Sequence, residues 1–400
     1  MLRFSTAGES HGEALVALLS GMPAGLKVDP AFLDRELWRR QQGYGRGGRM
    51  KIERDSAHIL SGVRHGATIG SPIALTIENR DWKNWQEALP VGAGDPEKHK
   101  AVASPRPGHA DLAGALKYNF RDARYVLERA SARESAARVA VGAIAKLLLR
   151  EFGIEVLSHV LRVGGAAARD AEIAWEKIQA LHERDEVLLN CADPEAEARM
   201  KAEVDNALKT GDSVGGVFEV VAHGVPPGLG TYANWDERLD ALLAAAVMSL
   251  QAVKAVEIGA GIGASASPGS AVHDAIGWAG SAGPAQGDGR AGYSGFTRRT
   301  NHAGGIEGGI SNGEDILVRG YLKPISTLRR PLESVDFKSR QPVKAAYERS
   351  DVCVVPAAGV GGEAMVALTL ARCALEKFGG DSMGETLRNF AGYQKQLKDY

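Results

Sequence analysis

The residue types best suited to chemistry in this 400-residue chain are two histidines in glycine-flanked turns, a run of arginines on a glycine loop, and a late Arg-Ser-Asp triplet. His11 sits in Gly8-Glu9-Ser10-His11-Gly12. Ser10 and His11 are adjacent, and neighbouring side chains on extended backbone point to opposite faces, so they do not read as a nucleophile and its base. Nor does a nucleophile elbow fit, because the predicted strand follows the motif instead of preceding it. A turn that presents His11 as a donor to an anion accounts for the pattern; an ordinary surface turn is the plain alternative. The run Arg39-Arg40-Gln41-Gln42-Gly43-Tyr44-Gly45-Arg46-Gly47-Gly48-Arg49 supplies planar forks matched to phosphate or carboxylate oxygens. An arginine–glycine run can also bind RNA, but Tyr44 is its only aromatic residue for stacking, and the chain carries a net charge of −1. A small polyanion is the better match.

The second histidine, His109, lies in Ser104-Pro105-Arg106-Pro107-Gly108-His109-Ala110-Asp111, stiffened by two prolines and placed just before a helix. It is the side-chain type best able to change charge near neutral pH; otherwise Ser104 and the prolines only cap and orient that helix. Arg129-Ala130-Ser131-Ala132-Arg133-Glu134-Ser135 opens a long helix. Ser131 and Glu134 have capping-box spacing, and a helix N-terminus also offers N–H groups to a phosphate, with Arg129 and Arg133 flanking it. Further on, Asn301-His302-Ala303-Gly304-Gly305-Ile306-Glu307-Gly308-Gly309 has paired glycines suited to a flat ring lying on backbone. Lys323-Pro324-Ile325-Ser326-Thr327 and Arg349 suit a phosphate tail, and Asp351 reads as a proton relay or a salt-bridged surface carboxylate. The Gly259–Gly263 glycine run follows a predicted helix, so it fails the strand-to-helix context of a dinucleotide site.

These residues need a scaffold, and hydrophobic periodicity outlines one. Strands are expected at 14–19, 59–63, 73–77, 156–163, 217–223 and 316–322. Helices are expected at 30–41, 131–152, 195–208, 235–253 (apolar all round, hence buried) and 365–378. Without strict βαβ alternation the order points to an α+β layered sandwich. A long helix bounded by strands occurs around 131–163 and again around 217–262, hinting at two similar halves. No linker divides the chain, so one domain over 1–400 is expected, with mobile glycine-rich loops near 40–50 and 277–300.

Charge and composition narrow the class. The 44% hydrophobic and 24% charged residues are ordinary for a globular protein. The near-neutral balance argues against nucleic acid or a membrane surface as partner. Three scattered cysteines give neither a disulfide framework nor metal-ligand spacing, so no metal is expected. No signal-peptide pattern precedes Gly8, and the longest apolar stretches, near 139–149 and 241–250, are too short or interrupted for a span; a cytoplasmic location is the expectation.

Taken in order, GESHG, SARE-S and RSDxC with the intervening motifs resemble the chorismate synthase family, over Gly8 to about Ala371. That resemblance implies a β-α-β sandwich in a homotetramer. It implies 1,4-anti elimination of phosphate from 5-enolpyruvylshikimate 3-phosphate, with reduced FMN and no net redox change. NADPH as ultimate reductant and an external flavin reductase go with the same resemblance. It places FMN at Arg129, Ala130, Ser131, Gln251, Ala252, Gly308, Lys323, Pro324, Ile325, Ser326, Thr327 and Arg349. Arg40 and Arg46 take a pyridine nucleotide or phosphate, and Arg49 and Arg133 lie with them. His11, with Ser10 beside it, is implied as the acid for departing phosphate, His109 as the partner of reduced flavin, and Asp351 as the carrier of the abstracted proton. Small departures stand at Ala130, where a serine is common, at Ser135 for threonine and at His302 for asparagine. A flavin-dependent oxidoreductase acting on a phosphorylated small molecule is the alternative from the same broad class.

Overall fold

Alternation builds the first sheet. In β2 (Ala14–Ser20) Leu15, Ala17 and Leu19 are buried while the residues between face outward. It pairs antiparallel with β1 (Arg3–Ala7) on one side and β4 (Ile73–Glu78) on the other, and the short β3 (His58–Ile59) completes the order β1-β2-β4-β3. The second sheet is larger and also antiparallel. It comprises β5 (Glu155–Val163), β6 (Ala166–Ala167), β7 (Gly216–His223), β8 (Val253–Ile258) and β9 (Ile316–Leu322), in the order β8-β9-β7-β5-β6. This computed structural model describes residues 1–47, 54–168, 173–278, 295–348 and 351–400.

Helices fill the space between the sheets. α1 (Pro30–Gln41) starts where Asp29 accepts a hydrogen bond from the Ala31 N–H, with Pro30 in the first turn. α2 (Ser135–Arg150) packs on the first sheet, and α4 (Val355–Phe378) packs on β5 and β7 of the second. α2 and α4 lie against each other with α1 alongside both. The result is an α+β sandwich of sheet, helices, sheet. Both helix-and-strand segments around 131–163 and 217–262 deliver strands to the larger sheet.

Glycine sets how closely the layers approach. A Cβ on Gly142 would stand 2.6 Å from the Ala364 Cα, and one on Gly362 would stand 2.5 Å from Phe218 Cε2. Gly142→Val is therefore expected to lower stability by about 2–3 kcal/mol, because two helix backbones would have to part. A lower midpoint in urea unfolding, with an unchanged slope, measures this. An unchanged midpoint would mean that the helices part freely.

Several element expectations are corrected. The helix expected at 235–253 is α3 (Leu239–Met248), and only Leu239, Leu243 and Val247 are buried; Trp235 is exposed and Met248 faces solvent. The all-apolar pattern overstated burial because alanines tolerate a half-exposed face. α4 begins ten residues earlier than expected. Its glycines at 359, 361 and 362 masked the periodicity, yet they sit inside the helix, Gly359 and Gly362 where the sheet comes close and Gly361 beside Leu250. The helix expected from 131 begins at Ser135 after a 3₁₀ turn over Ala132–Glu134. The expected strand 59–63 breaks at Gly62, whose φ is +81°. β1, β8 and the terminal helix α5 (Met383–Asp399) were not anticipated. α4 is also long and apolar enough to cross a membrane, but 78% of that window is buried inside the protein. Of the two glycine-rich loops, 48–53 and 279–294 lie outside the described residues.

Candidate active site

The Gly8–Gly12 motif is the turn between β1 and β2, so a strand precedes it as well as following it. The expectation that no strand came before the motif is thereby corrected, although no helix follows and the elbow geometry is still absent. Ser10 and His11 diverge, as adjacent residues should. The Ser131 hydroxyl donates to Ser10 Oγ at 3.1 Å, and the Ser10 N–H donates to the Glu128 carbonyl at 2.9 Å. The imidazole of His11 lies 2.8 Å from Glu128 Oε1 through Nδ1 and stacks on Trp85 with ring centroids 4.0 Å apart. Burial opposes ionisation of Glu128, but hydrogen bonds and charge from His11 hold its carboxyl below the ordinary value.

Two of the arginines converge on one buried carboxylate. Arg133 reaches both oxygens of Asp55, at 2.5 and 2.6 Å, and donates from Nε to Asn79 Oδ1 at 2.9 Å. Arg40 lies 3.4 Å from Asp55 and donates to Ser135 Oγ and the Ala132 carbonyl. Burial brings its guanidinium down to about 10; Asp55 opposes that, and Arg133 and Arg46 reinforce it. Arg46 pairs with Asp351 at 3.0 Å, and Asp351 also accepts the Gly47 N–H at 2.5 Å. Asp351 is thus salt-bridged, as one of its two readings had it, and only 20% exposed. Asn79 donates to the Glu9 and Gly12 carbonyls and so ties the arginine cluster to the His11 turn. Arg39 faces away, into the core against Glu36 and Glu363. Arg49 and Arg349 lie outside the described residues.

No capping box forms at Ser131. Its Oγ accepts from the Arg133 N–H of the 3₁₀ turn, while Glu134 turns aside to accept from Thr6 Oγ1, Arg138 Nε and Gln251 Nε2. Tertiary donors outcompete the local N–H for that carboxylate. Arg129, at the end of the helix Arg124–Ala130, is 44% exposed and donates to the Thr6 and Gly8 carbonyls. Beside Gln251, Ala252 has φ +70°, and its carbonyl accepts the Lys323 N–H at 3.0 Å.

The His109 loop docks on the 323–327 segment. Lys323 Nζ donates to the Gly108 carbonyl at 2.8 Å, and Arg106 Nη1 donates to Thr327 Oγ1 at 2.8 Å. Ser326 Cβ lies 3.7 Å from where a Gly108 Cβ would be, and the Ile325 carbonyl accepts from Ser213. His109 Nδ1 is 2.5 Å from Asp111 Oδ1 and 3.0 Å from Arg106 Nη2. A carboxylate cannot face a lone pair at that distance, so Nδ1 carries the proton and the guanidinium hydrogens go to Asp111. Burial resists the charge on Asp111, yet hydrogen bonds from His109 and Arg106 hold its carboxyl well below the carboxylate range. Burial, with Lys254 nearby, lowers Lys323.

Contacts therefore run without a break from Ser10 through Ser131, Glu134, Gln251, Ala252 and Lys323 to His109. Gly308 stands apart. It occupies a hairpin at the N-terminal end of α3, where Leu239 N–H donates to the Gly309 carbonyl. Gln251 follows the other end of this ten-residue helix, about 15 Å away by helical rise. Gly304 and Gly305 do not form a ring platform: a Cβ on Gly304 would stand 2.5 Å from Gly259 Cα and one on Gly305 2.6 Å from the Asp315 carbonyl, so they admit backbone instead. The 259–263 run does link a strand, β8, to a helix, contrary to the sequence reading, but that helix is Gly261–Ser265 and the sheet is antiparallel. A cavity of about 230 Å³ lined by Glu36, Lys146, Arg150 and His182 includes none of the predicted site residues. Asp55, Asn79, Trp85, Arg106, Asp111 and Glu128 were not singled out in the sequence, although Arg106 and Asp111 lay within a quoted motif, and Glu134 was read only as a capping partner.

Comparison with known proteins bears on this arrangement. A family model described as chorismate synthase matches residues 2–375. The chain is 71% identical to the chorismate synthase of Koribacter versatilis and 70% to that of Acidobacterium capsulatum, in each case over 100% of both chains. The relative from Geobacter sulfurreducens is 55% identical over the same extent. A crystal structure of chorismate synthase superposes with a TM-score of 0.78 at 42% identity, covering 100% of this chain and 99% of that one.

Proposed function

The chain belongs to the chorismate synthase family and carries out its 1,4-anti elimination of phosphate from 5-enolpyruvylshikimate 3-phosphate, and from that premise we propose how its own residues divide the work. The supporting observation is the docking of the His109 loop on the 323–327 segment, in contact continuity with the His11 turn. The donor set suits FMN: a partly buried ammonium at Lys323, hydroxyls at Ser131, Ser326 and Thr327, and the half-exposed Arg129. Arg129, Ala130, Ser131, Gln251, Ala252, Lys323, Pro324, Ile325, Ser326 and Thr327 would hold it, with Arg349 completing the set. Reduced FMN, when bound, supplies transient electron density to the substrate. Gly308 joins that site only if another part of the assembly brings it there, which fits a homotetramer.

The substrate loses a proton and a phosphate from opposite faces, so the protein must manage charge on both. His11 donates a proton to the departing phosphate, with Ser10 beside it. Arg46 and Arg40 neutralise anionic charge at the same end, Arg133 holds Asp55, the carboxylate partner of Arg40, and Arg49 belongs to the same arginine–glycine motif in the sequence. His109, seated on Asp111, would hydrogen-bond the reduced cofactor, and Asp351 would accept the proton taken from carbon. NADPH as reductant, an external flavin reductase and a cytoplasmic setting belong to the same reading.

Anaerobic incubation with dithionite-reduced FMN and the substrate ester tests it: phosphate and chorismate should appear in equal amounts. NADPH consumed in stoichiometric amount without phosphate release would instead mark a flavin-dependent oxidoreductase. Lys323→Ala is expected to weaken FMN binding roughly 10–100-fold, the loss of a charge-assisted hydrogen bond. Quenching of flavin fluorescence reads the affinity, and an unaltered Kd would place the cofactor elsewhere.

A further inference from the structure

An imidazole that protonates a leaving group has to present one ring nitrogen in a constant position. His11 is gripped at two points by a single buried side chain. Glu128 Oε2 accepts the His11 backbone N–H at 2.7 Å, and Oε1 meets its Nδ1 at 2.8 Å. Glu128 is 3% exposed. Behind it Arg124 stands 3.4 Å from Oε1 and donates to Glu348 at 2.8 Å. Glu348 directly precedes the Arg349-Ser350-Asp351 motif, so the turn at one end of the chain is braced against the motif near the other. Trp85 stacks on the ring, with Lys100 4.0 Å and Arg124 5.1 Å from the Trp85 centroid.

A purely structural carboxylate would serve to dock the helix Arg124–Ala130 on the turn. That docking is already made by backbone, since the Ser10 N–H donates to the Glu128 carbonyl. The side chain does something further. A carboxylate at Nδ1 selects the tautomer with its proton there, so exchange with substrate runs through Nε2.

We propose that Glu128 is the positioning residue for His11, fixing its tautomer and orientation for phosphate departure. This rests on the reading of His11 as the acid. Among the described residues Glu128 meets the ring directly, with Arg124 behind that carboxylate and Lys100 across Trp85.

The test uses the full chain with reduced FMN. Glu128→Gln keeps an acceptor for the backbone N–H and removes the charge. It is expected to lower kcat on the order of 10–100-fold, as carboxylate partners of functional histidines do, with KM nearly unchanged. The thermal midpoint should stay nearly unchanged, because the backbone bond from Ser10 still docks the helix on the turn. Glu128→Asp restores a carboxylate facing the turn and should return part of kcat. A Glu128→Gln enzyme with kcat unchanged, beside an inactive His11→Ala, overturns the proposal. So does a loss confined to thermal stability. If His11→Ala itself keeps full activity, the acid reading fails first and this inference falls with it.

Discussion

His11→Ala lowers kcat by about 10²-fold or more, the amount a positioned general acid contributes, while the fold survives. The ring is only 13% exposed, between Trp85 and Glu128, yet it belongs to a turn and not to the core. Its removal leaves the Glu128 carboxylate beside Arg124, so no buried charge is stranded. Substrate binding, set largely by the arginines, should change little. The signature is thus a fall in kcat at nearly constant KM, read from phosphate release under anaerobic conditions. His109→Ala should fall comparably, since its proton is fixed on Nδ1 by Asp111. Near-full activity in both variants would remove the two imidazoles from the chemistry.

Glu363→Ala destabilises the protein by about 3–5 kcal/mol without touching the site. Glu363 is wholly buried in α4 at the meeting point of the helices. It accepts from both ends of the Arg39 guanidinium (2.6 and 2.9 Å), from Lys146 and from Ser158 at 2.5 Å. Glu36 is the second acid, bonded to Arg39 and to Lys146 at 2.7 and 2.5 Å. Two acids thus balance two bases, and truncation of Glu363 leaves a buried cation uncompensated. Urea unfolding should register the loss, and a change under 1 kcal/mol would mean that water reaches the cluster.

The same cluster makes stability depend on acid. Burial penalises the Glu363 carboxylate, but Arg39 and Lys146 overcome this and hold its carboxyl well below the ordinary range. A depressed acid stabilises above its unfolded pKa, and that stability is lost as pH falls through the folded value. His182, on the same cavity, is lowered to about 3 by burial, with Arg39 adding to the effect. It stays neutral when folded but binds a proton when unfolded, so its contribution begins to fade below about pH 6.5. Both signs agree: stability should fall on acidification, in two stages.

The candidate groups were legible as residue types because they are local. His11, His109 and Arg46 stand in short motifs where glycine or proline marks a turn, and α1 could be bounded from its apolar face. Gly142 and the glycines of α4 were opaque in the same text. Their meaning lies in what would strike a missing Cβ, and that atom belongs to a distant element.

Partner choice was beyond reach of the sequence. Ser131 and Glu134 have the spacing of a cap, but Glu134 bonds Thr6 and Gln251, 128 and 117 positions away. Glu128 stood in no quoted motif and no expected helix, yet the turn carrying His11 folds against it. Side-chain type, turn chemistry and helix limits follow from a few neighbouring residues, and the chain alone determined them. Which carboxylate meets which cation depends on competition among donors brought together by packing. Buried charge tolerates no unmet partner, so only the tertiary structure decided that pairing.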